Sequence, residues 1–577
     1  MAAFTIGSLQ LRADEGMWLP LLIKRLNHVD MQKHGLQLTA EEKYSVNNAS
    51  LKDAIVVLDG RFCTGEIISS QGLMLTNHHC GYGSIQSLST PEDNILTNGF
   101  WAKTKSDERK ANFSVWFLER MDDVTDRVLA GVTDGMNQNE RDAMVKQNMD
   151  KIKAEEGDEF EVQIKGFYYD NEYYMFKYNI FNDVRLVGTP PESVGKYGGD
   201  TDNWMWRRHT GDFSMVRVYC NKENKTAEYS TDNVPYKPKH HLPVSMAVGQ
   251  ENDYAMVMCY PGSTDRYLTS FGVEEAVNVE QPARVKIRRM KLDMMDLGMD
   301  ADPNVRLQYA SKHAGVANYW KYFLGQSRQL VENKVYDKKK TIEDDFTKWA
   351  NADKTRQAKY GNALGLIEDF YKSNAKYVIP QTYFGEAIFQ GPEVFSFVMS
   401  NFGFRSEMSG ALASEKQEAI DTAVAAIKLG LDDYYKDFNQ GIDEDLLSSM
   451  LEVFYNDVDK EFHPATLTTI HKKYKGDFKK FAAKYYAKSP FASKEKVELF
   501  LGKFSKKAIE KDPIYNLMNE FIEIYIQKII IPSQTANTKY AQGMRLFVDE
   551  KRTMNPGNAY AHDVNTTMQN RNGNEWY

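Results

Sequence analysis

Near Tyr267 the chain changes its period, and that change limits the folds open to it more than any other feature. From about Ala54 to Pro261 the apolar residues come in short runs of strand length. After Tyr267, nearly every segment for roughly 270 residues repeats at helical spacing. A chain divided in this way reads as α+β, with strands first and helices after.

In the first part, Ala54-Ile-Val-Val-Leu58, Gly65-Glu-Ile-Ile68 and Leu73-Met-Leu-Thr76 are β-rich runs separated by Asp59-Gly60 and Ser69-Ser-Gln-Gly72, which are turn chemistry. Further strands are expected at Phe160–Ile164, Tyr173–Tyr178, Asp183–Val187, Ser214–Tyr219 and Tyr254–Met258. Short strands at this spacing point to a barrel or a sandwich. The polar stretch Thr133–Glu156 reads as a helical excursion between strands. In the second part, Ser414 with Gln417 forms a capping box, Ile420, Val424 and Ile427 make one apolar face, and Gly430 ends that helix. Asp512-Pro513 starts another, with Ile514, Leu517, Phe521 and Ile524 as its buried stripe and Pro532 as its stop. Neither an internal repeat nor a low-complexity linker is visible, so the helices read as a block packed on the β region.

The 577 residues allow two to four domains. Net charge is -8, from 72 Lys and Arg against 80 Asp and Glu without a long basic run, so nucleic acid is not an expected partner. No apolar run reaches the length of a membrane span. The first thirteen residues read as the tail of a secretory signal that lacks its basic start. Four cysteines, Cys63, Cys80, Cys220 and Cys259, fall in two sequence-local pairs. This favours two disulfides, Cys63 with Cys80 and Cys220 with Cys259, and an oxidising compartment; four unrelated thiols are the alternative.

Chemistry concentrates in two stretches. Gly65–Cys80 reads as two strands that deliver His79, beside a cysteine, at a strand end. A Cys63–Cys80 bridge would hold His79 more firmly than His78, which makes His79 the candidate general base. The plainer reading is a polar strand-end residue. In Tyr197–Arg217, Asp212 opens an apolar strand as an orienting carboxylate would, whereas Asp200 and Asp202 sit in a Gly-rich turn suited to capping. Trp204 and Trp206 beside Asn203 read as a wall for a ligand's apolar end, with the amide on its polar end. Ordinary aromatic core is the alternative. A zinc site from His78, His79 and Cys80 with His240 and His241 is disfavoured, because adjacent ligands converge poorly on one tetrahedral ion.

Six motifs then occur in order: Asp14-Glu-Gly-Met-Trp-Leu-Pro20, Thr76-Asn-His-His-Cys80, Gly198-Gly-Asp-Thr-Asp-Asn-Trp204, His209-Thr-Gly-Asp-Phe-Ser214, Tyr260-Pro-Gly-Ser-Thr-Asp-Arg-Tyr267 and Asn318-Tyr-Trp-Lys321. Together they resemble the bacterial serine dipeptidyl-peptidases of the seven and eleven types. The resemblance implies a chymotrypsin-like double β-barrel with a large inserted helical domain, a periplasmic or cell-surface homodimer, and release of dipeptides from peptides with a free N-terminus, without metal or cofactor. By motif, His79 corresponds to the general base, Asp212 to its orienting carboxylate, and Asn203, Trp204 and Asn318 to residues around the substrate's ammonium group.

Two departures accompany the resemblance. Arg207 stands where the family usually has proline. The family's nucleophilic serine lies in a Gly-Asn/Asp-Ser-Gly turn well after the helical domain, and no such turn occurs in the 577 residues; Ser84 and Ser263 lack its glycines. The expectation is therefore a chain that ends before its nucleophile, with an incomplete second barrel. Its expected divisions are a signal remnant at 1–13, a β-barrel region at 14–270, inserted helices at 271–550 and a returning segment from 551 that stops at 577. On this reading the chain alone is inactive, or is a non-catalytic protein that binds peptide N-termini.

Overall fold

A computed structural model of the chain describes residues 18–554, apart from 61–62, 134, 206–208, 248 and 251–252. The expected signal remnant, Trp206, Arg207 and the end of the returning segment lie outside the described residues.

Among the described residues, eleven strands form one antiparallel sheet: β1 (Ile55–Leu58), β2 (Cys63–Ile67), β3 (Leu73–Thr76), β4 (Phe100–Trp101), β5 (Arg109–Lys110), β6 (Val115–Asp123), β7 (Glu161–Phe167), β8 (Glu172–Phe181), β9 (Val184–Thr189), β10 (Ser214–Cys220) and β11 (Val234–Pro235). Their order is β4-β9-β10-β3-β2-β1-β6-β8-β7, with β11 against β10 and β5 against β9. The continuous apolar run of β1 fits its central place, where all four residues are buried. Against β10 the strand β9 carries a bulge: consecutive Met215 and Val216 pair with Gly188 and Leu186, which leaves Val187 as the extra residue.

The helices used below are α1 (His78–Ser87), α2 (Gln138–Glu156), α3 (Gly199–Asp202), α4 (Gln281–Ala301), α5 (Pro303–Glu332), α6 (Gln417–Leu429), α7 (Pro513–Tyr525) and α8 (Ile531–Met554). The helical excursion expected at 133–156 is α2, capped by Asn137 and Glu140 in a reciprocal box. Phe384, Phe395, Phe454 and Phe521 sit in one large core among the later helices. A second core joins the two parts: Leu118, Met121, Phe176 and Tyr178 from the sheet pack with Phe346, Ile367, Met544 and Phe547 from helices. The chain is thus a mixed α/β fold whose helices share a core with an antiparallel sheet.

Several expectations are corrected. Tyr254–Met258 is not a strand. A strand exists through its neighbour's hydrogen bonds, and the nearby bonds of Tyr260 run instead from its N–H to Thr64 Oγ1 and from that hydroxyl to its carbonyl. The Ser414 capping box does not form: Ser414 ends the preceding helix, Glu407–Ser414, and Lys416 occupies the N-cap of α6. Its hydroxyl donates to Ala411 O at 2.7 Å, within that preceding turn. Asp512 caps α7 as expected, accepting from Tyr515 N at 2.7 Å, but Pro532 does not stop the helix. A wide turn with i→i+5 bonds at Ile526–Ile530 leads directly into α8, and absorbs the proline's missing N–H without a break.

Cys63 and Cys80 form a disulfide with Cα atoms 6.0 Å apart. Cys220 and Cys259 remain separate thiols. Cys220 is buried in β10 and donates to Asn224 Oδ1 and Val234 O, whereas Cys259 is exposed on the extended segment beyond β11. One sulfur lies in the sheet core, whereas the other belongs to a separate, outlying segment, where partial burial raises its pKa.

Candidate active site

Sheet register brings the base and its partner together. Antiparallel pairing of β3 with β10 places Thr76 opposite Ser214. Extending that register past both strand ends carries the chain toward His79 on one side and Asp212 on the other. Asn77 is extended and sits at the N-cap of α1, yet its side chain caps nothing in its own helix. Asp212 takes that place from across the sheet. Its Oδ1 accepts from His79 N at 3.0 Å and its Oδ2 from His79 Nδ1 at 2.7 Å. Asn77 Nδ2 adds bonds to Asp212 Oδ2 at 3.3 Å and to its backbone oxygen at 3.2 Å. One of the orphan N–H groups at the start of α1 is thereby satisfied by a carboxylate, where the helix dipole also favours negative charge.

Burial alone would raise the Asp212 pKa, but the bonds and charge of His79 outweigh it and hold the carboxyl below its ordinary value. An ionised Asp212 fixes the proton of neutral His79 on Nδ1, which leaves the lone pair on Nε2. The His79 side chain is 57% exposed, so that nitrogen is reachable. His78 faces the other way. Its ring is buried and edge-on to Tyr82 at 5.6 Å, and a methyl group on Gly195 would lie 2.4 Å from it. Burial pushes the His78 pKa down, which suits a neutral packing group. The disulfide fastens the first turn of α1 to the start of β2, as the spacing predicted. It also removes the zinc reading: Cys63, His79 and Cys80 lie together, but both sulfurs are bonded to each other and offer no thiolate.

The second cluster is built by the loop at 198–204 and by α5. Gly198 has φ +81°, and a Cβ there would meet Asp202 Oδ2 at 2.2 Å, so this glycine is required by both conformation and space. Trp204 adopts φ +60°, a left-handed conformation rare for a bulky residue and found where surroundings impose it. Those surroundings are on α5. Asn318 Oδ1 accepts from Asn203 Nδ2 at 2.8 Å and from Trp204 Nε1 at 3.0 Å, and the indole packs on Tyr322 with centroids 5.5 Å apart. Asp200 and Asp202 do not cap the turn as expected, since α3 has no side-chain cap: Asp200 pairs instead with the Lys196 side chain at 3.0 Å, and Asp202 folds back over Gly198.

Thus His79 with Asp212, and Asn203 with Trp204 and Asn318, form two groups, each assembled from segments distant in sequence. Sequence reasoning missed Asn77 as a ligand of Asp212, although it stands inside the Thr76–Cys80 motif, and missed β6, whose alternating Val115, Phe117 and Met121 were a legible strand signal.

Comparison with known proteins agrees with this architecture. The family model described as Peptidase S46 matches residues 13–574. A Dipeptidyl-peptidase 7 of Capnocytophaga gingivalis is 41% identical over 563 residues, covering 97% of this chain and 77% of the relative. An Asp/Glu-specific dipeptidyl-peptidase of Flavobacterium psychrophilum is 36% identical over 561 residues, covering 96% and 77%. Among solved structures, Porphyromonas endodontalis DPP11 in complex with the dipeptide Arg-Glu matches with TM-score 0.85 and 30% identity, covering 96% of this chain and 79% of that one. The chain belongs to the Peptidase S46 family.

Proposed function

We propose that this chain is a dipeptidyl-peptidase polypeptide, of the kind that releases dipeptides from the free N-terminus of peptides. His79 is the general base and Asp212 its orienting carboxylate. The observation that carries this reading is the two-point grip of Asp212 on His79 through both the ring Nδ1 and the backbone N–H. Such a grip fixes tautomer and ring direction together. In the reaction, a serine hydroxyl attacks the carbonyl of the second residue, His79 Nε2 accepts its proton, and Asp212 stabilises the resulting imidazolium. The proton then passes to the leaving amine, and water repeats the sequence on the acyl-enzyme.

Asn203, Trp204 and Asn318 are proposed to hold the substrate's ammonium group. A polar cluster at a fixed distance from the base admits one register, so that only the second peptide bond reaches the nucleophile. The same reading assigns a chymotrypsin-like double barrel with the helices as an insertion, a homodimer, and an exported location. Its support is the family membership and the disulfide.

The nucleophile is not among these residues on our reading. No Gly-Asn/Asp-Ser-Gly turn occurs in the sequence, and Ser84, nearest in sequence to His79, is buried with its hydroxyl bonded to Asn112 Oδ1. We therefore expect the 577 residues expressed alone to hydrolyse no dipeptidyl chromogenic substrate. Turnover that His79→Ala abolishes would overturn this. The assembled Asn203–Trp204–Asn318 cluster favours a second reading, a peptide N-terminus-binding protein without catalysis.

A further inference from the structure

The loop that presents Asn203 and Trp204 has few bonds of its own, chiefly Asp202 N to Gly198 O, Met205 N to Asp202 O and the Lys196–Asp200 pair. It begins with two left-handed glycines, Gly198 and Gly199, and ends on left-handed Trp204, and α3 between them is a single short turn. Such a segment opens readily unless neighbours fix it. α5 supplies those fixings. Lys321 Nζ donates to Asp200 O at 2.8 Å and to Thr201 O at 2.5 Å. These are terminal carbonyls of α3, which lack partners within the turn and favour a cation. His313 stands between two carboxylates, with Nε2 2.8 Å from Asp296 Oδ1 on α4 and Nδ1 3.6 Å from Asp200 Oδ2. His313, Asn318 and Lys321 span about 12 Å of one side of the helix.

The helix itself is tied to the base. Gln86, near the end of α1, accepts from Ser311 N at 2.8 Å and donates to Gln308 O at 3.0 Å. A continuous mechanical link therefore runs from the His79 helix through α5 to the loop.

We propose that Lys321 and His313 are positioning residues for the ammonium site, Lys321 the principal one. They fix the backbone at 200–202 so that Asn203 and Trp204 meet Asn318 in the geometry that reads a free amine. The inference rests on the reading of that cluster as the ammonium site, but its structural half stands without it.

The test uses the full 577-residue chain with Lys321→Met, Lys321→Arg and His313→Gln. Hydrogen exchange reports the loop, and calorimetry compares a free-amine tripeptide with its N-acetylated form. Lys321→Met is expected to speed exchange at amides 199–204 by about tenfold and to weaken free-amine binding by about tenfold, with α5 and the sheet unchanged. Arginine, which can donate to the same two carbonyls, restores both to within about threefold. His313→Gln produces a smaller rise, because Lys196 still holds Asp200. Unchanged loop exchange in Lys321→Met, a rise spread through all of α5, or failure of arginine to restore either quantity overturns the proposal. No change in His313→Gln overturns the part assigned to His313. Wild-type protein with no preference for the free amine sinks the ammonium-site reading, and loop exchange then decides the positioning role alone.

Discussion

The Cys63–Cys80 bridge is expected to govern how often the His79 turn opens. It closes a sequence separation of 17 residues, enclosing β3 and the first turn of α1. Cross-linking a loop of that size removes chain entropy from the opened state worth about 3 kcal/mol. Without the bridge, local opening of Asn77–Cys80 should become more populated by on the order of 100-fold. The rest of the sheet keeps its pairing, since β6, β7 and β8 hydrogen-bond to one another without involving this loop. Hydrogen exchange read on peptides covering 64–85 measures the effect directly, because exchange under native conditions scales with the opening equilibrium. Two perturbations serve, reduction of the wild-type chain and the double substitution Cys63→Ala with Cys80→Ala. Both should speed exchange at the start of α1 by about two orders of magnitude and leave β7 and β8 unaltered. A change below about threefold in both would show that β3–β10 pairing and the Asp212 bonds hold His79 unaided.

Two further outcomes follow from buried groups. Asp443 is fully buried, accepts from Val394 N and from the Tyr486 hydroxyl, and burial together with nearby Glu393 pushes its pKa up to about 7. The unfolded chain releases this proton near pH 4, so the folded state binds one more proton between those values and its stability falls as pH rises through that window. Thermal midpoints from pH 4.5 to 7.5 should show a downward slope that Asp443→Asn reduces; an equal slope in the variant contradicts the assignment. Thiol titration of the non-reduced protein should find Cys259 accessible under native conditions, reacting more slowly than a free thiol because partial burial raises its pKa, and Cys220 only after unfolding. No free thiol even after unfolding would mean that Cys220 and Cys259 are paired after all.

How much of this was legible in the sequence depended on whether the signal was local. β1, β3 and β10 were readable because apolar runs and turn residues mark them without help from the rest of the chain. Strand status for Tyr254–Met258 was not, because alternation specifies a face and not a partner. The Ser414 cap failed for a related reason: an earlier helix claimed that serine. Pro532 misled because a wide turn can take up a proline inside a helix, and nothing in the sequence marks such a turn. At the site, motifs singled out His79, Asp212, Asn203, Trp204 and Asn318, whereas the register of Thr76 opposite Ser214 explains why the first two meet. The supporting partners Asn77, His313 and Lys321 became visible only in three dimensions, since each acts on a segment more than a hundred residues away.

The claim that this fold reads a free amino terminus is tested most directly by equilibrium binding. Calorimetry on the wild-type chain should give a free-amine tripeptide an affinity at least about tenfold above that of its N-acetylated analogue, and Asn318→Ala should erase the difference. Equal affinities for the two peptides, or a preference that survives Asn318→Ala, would contradict it.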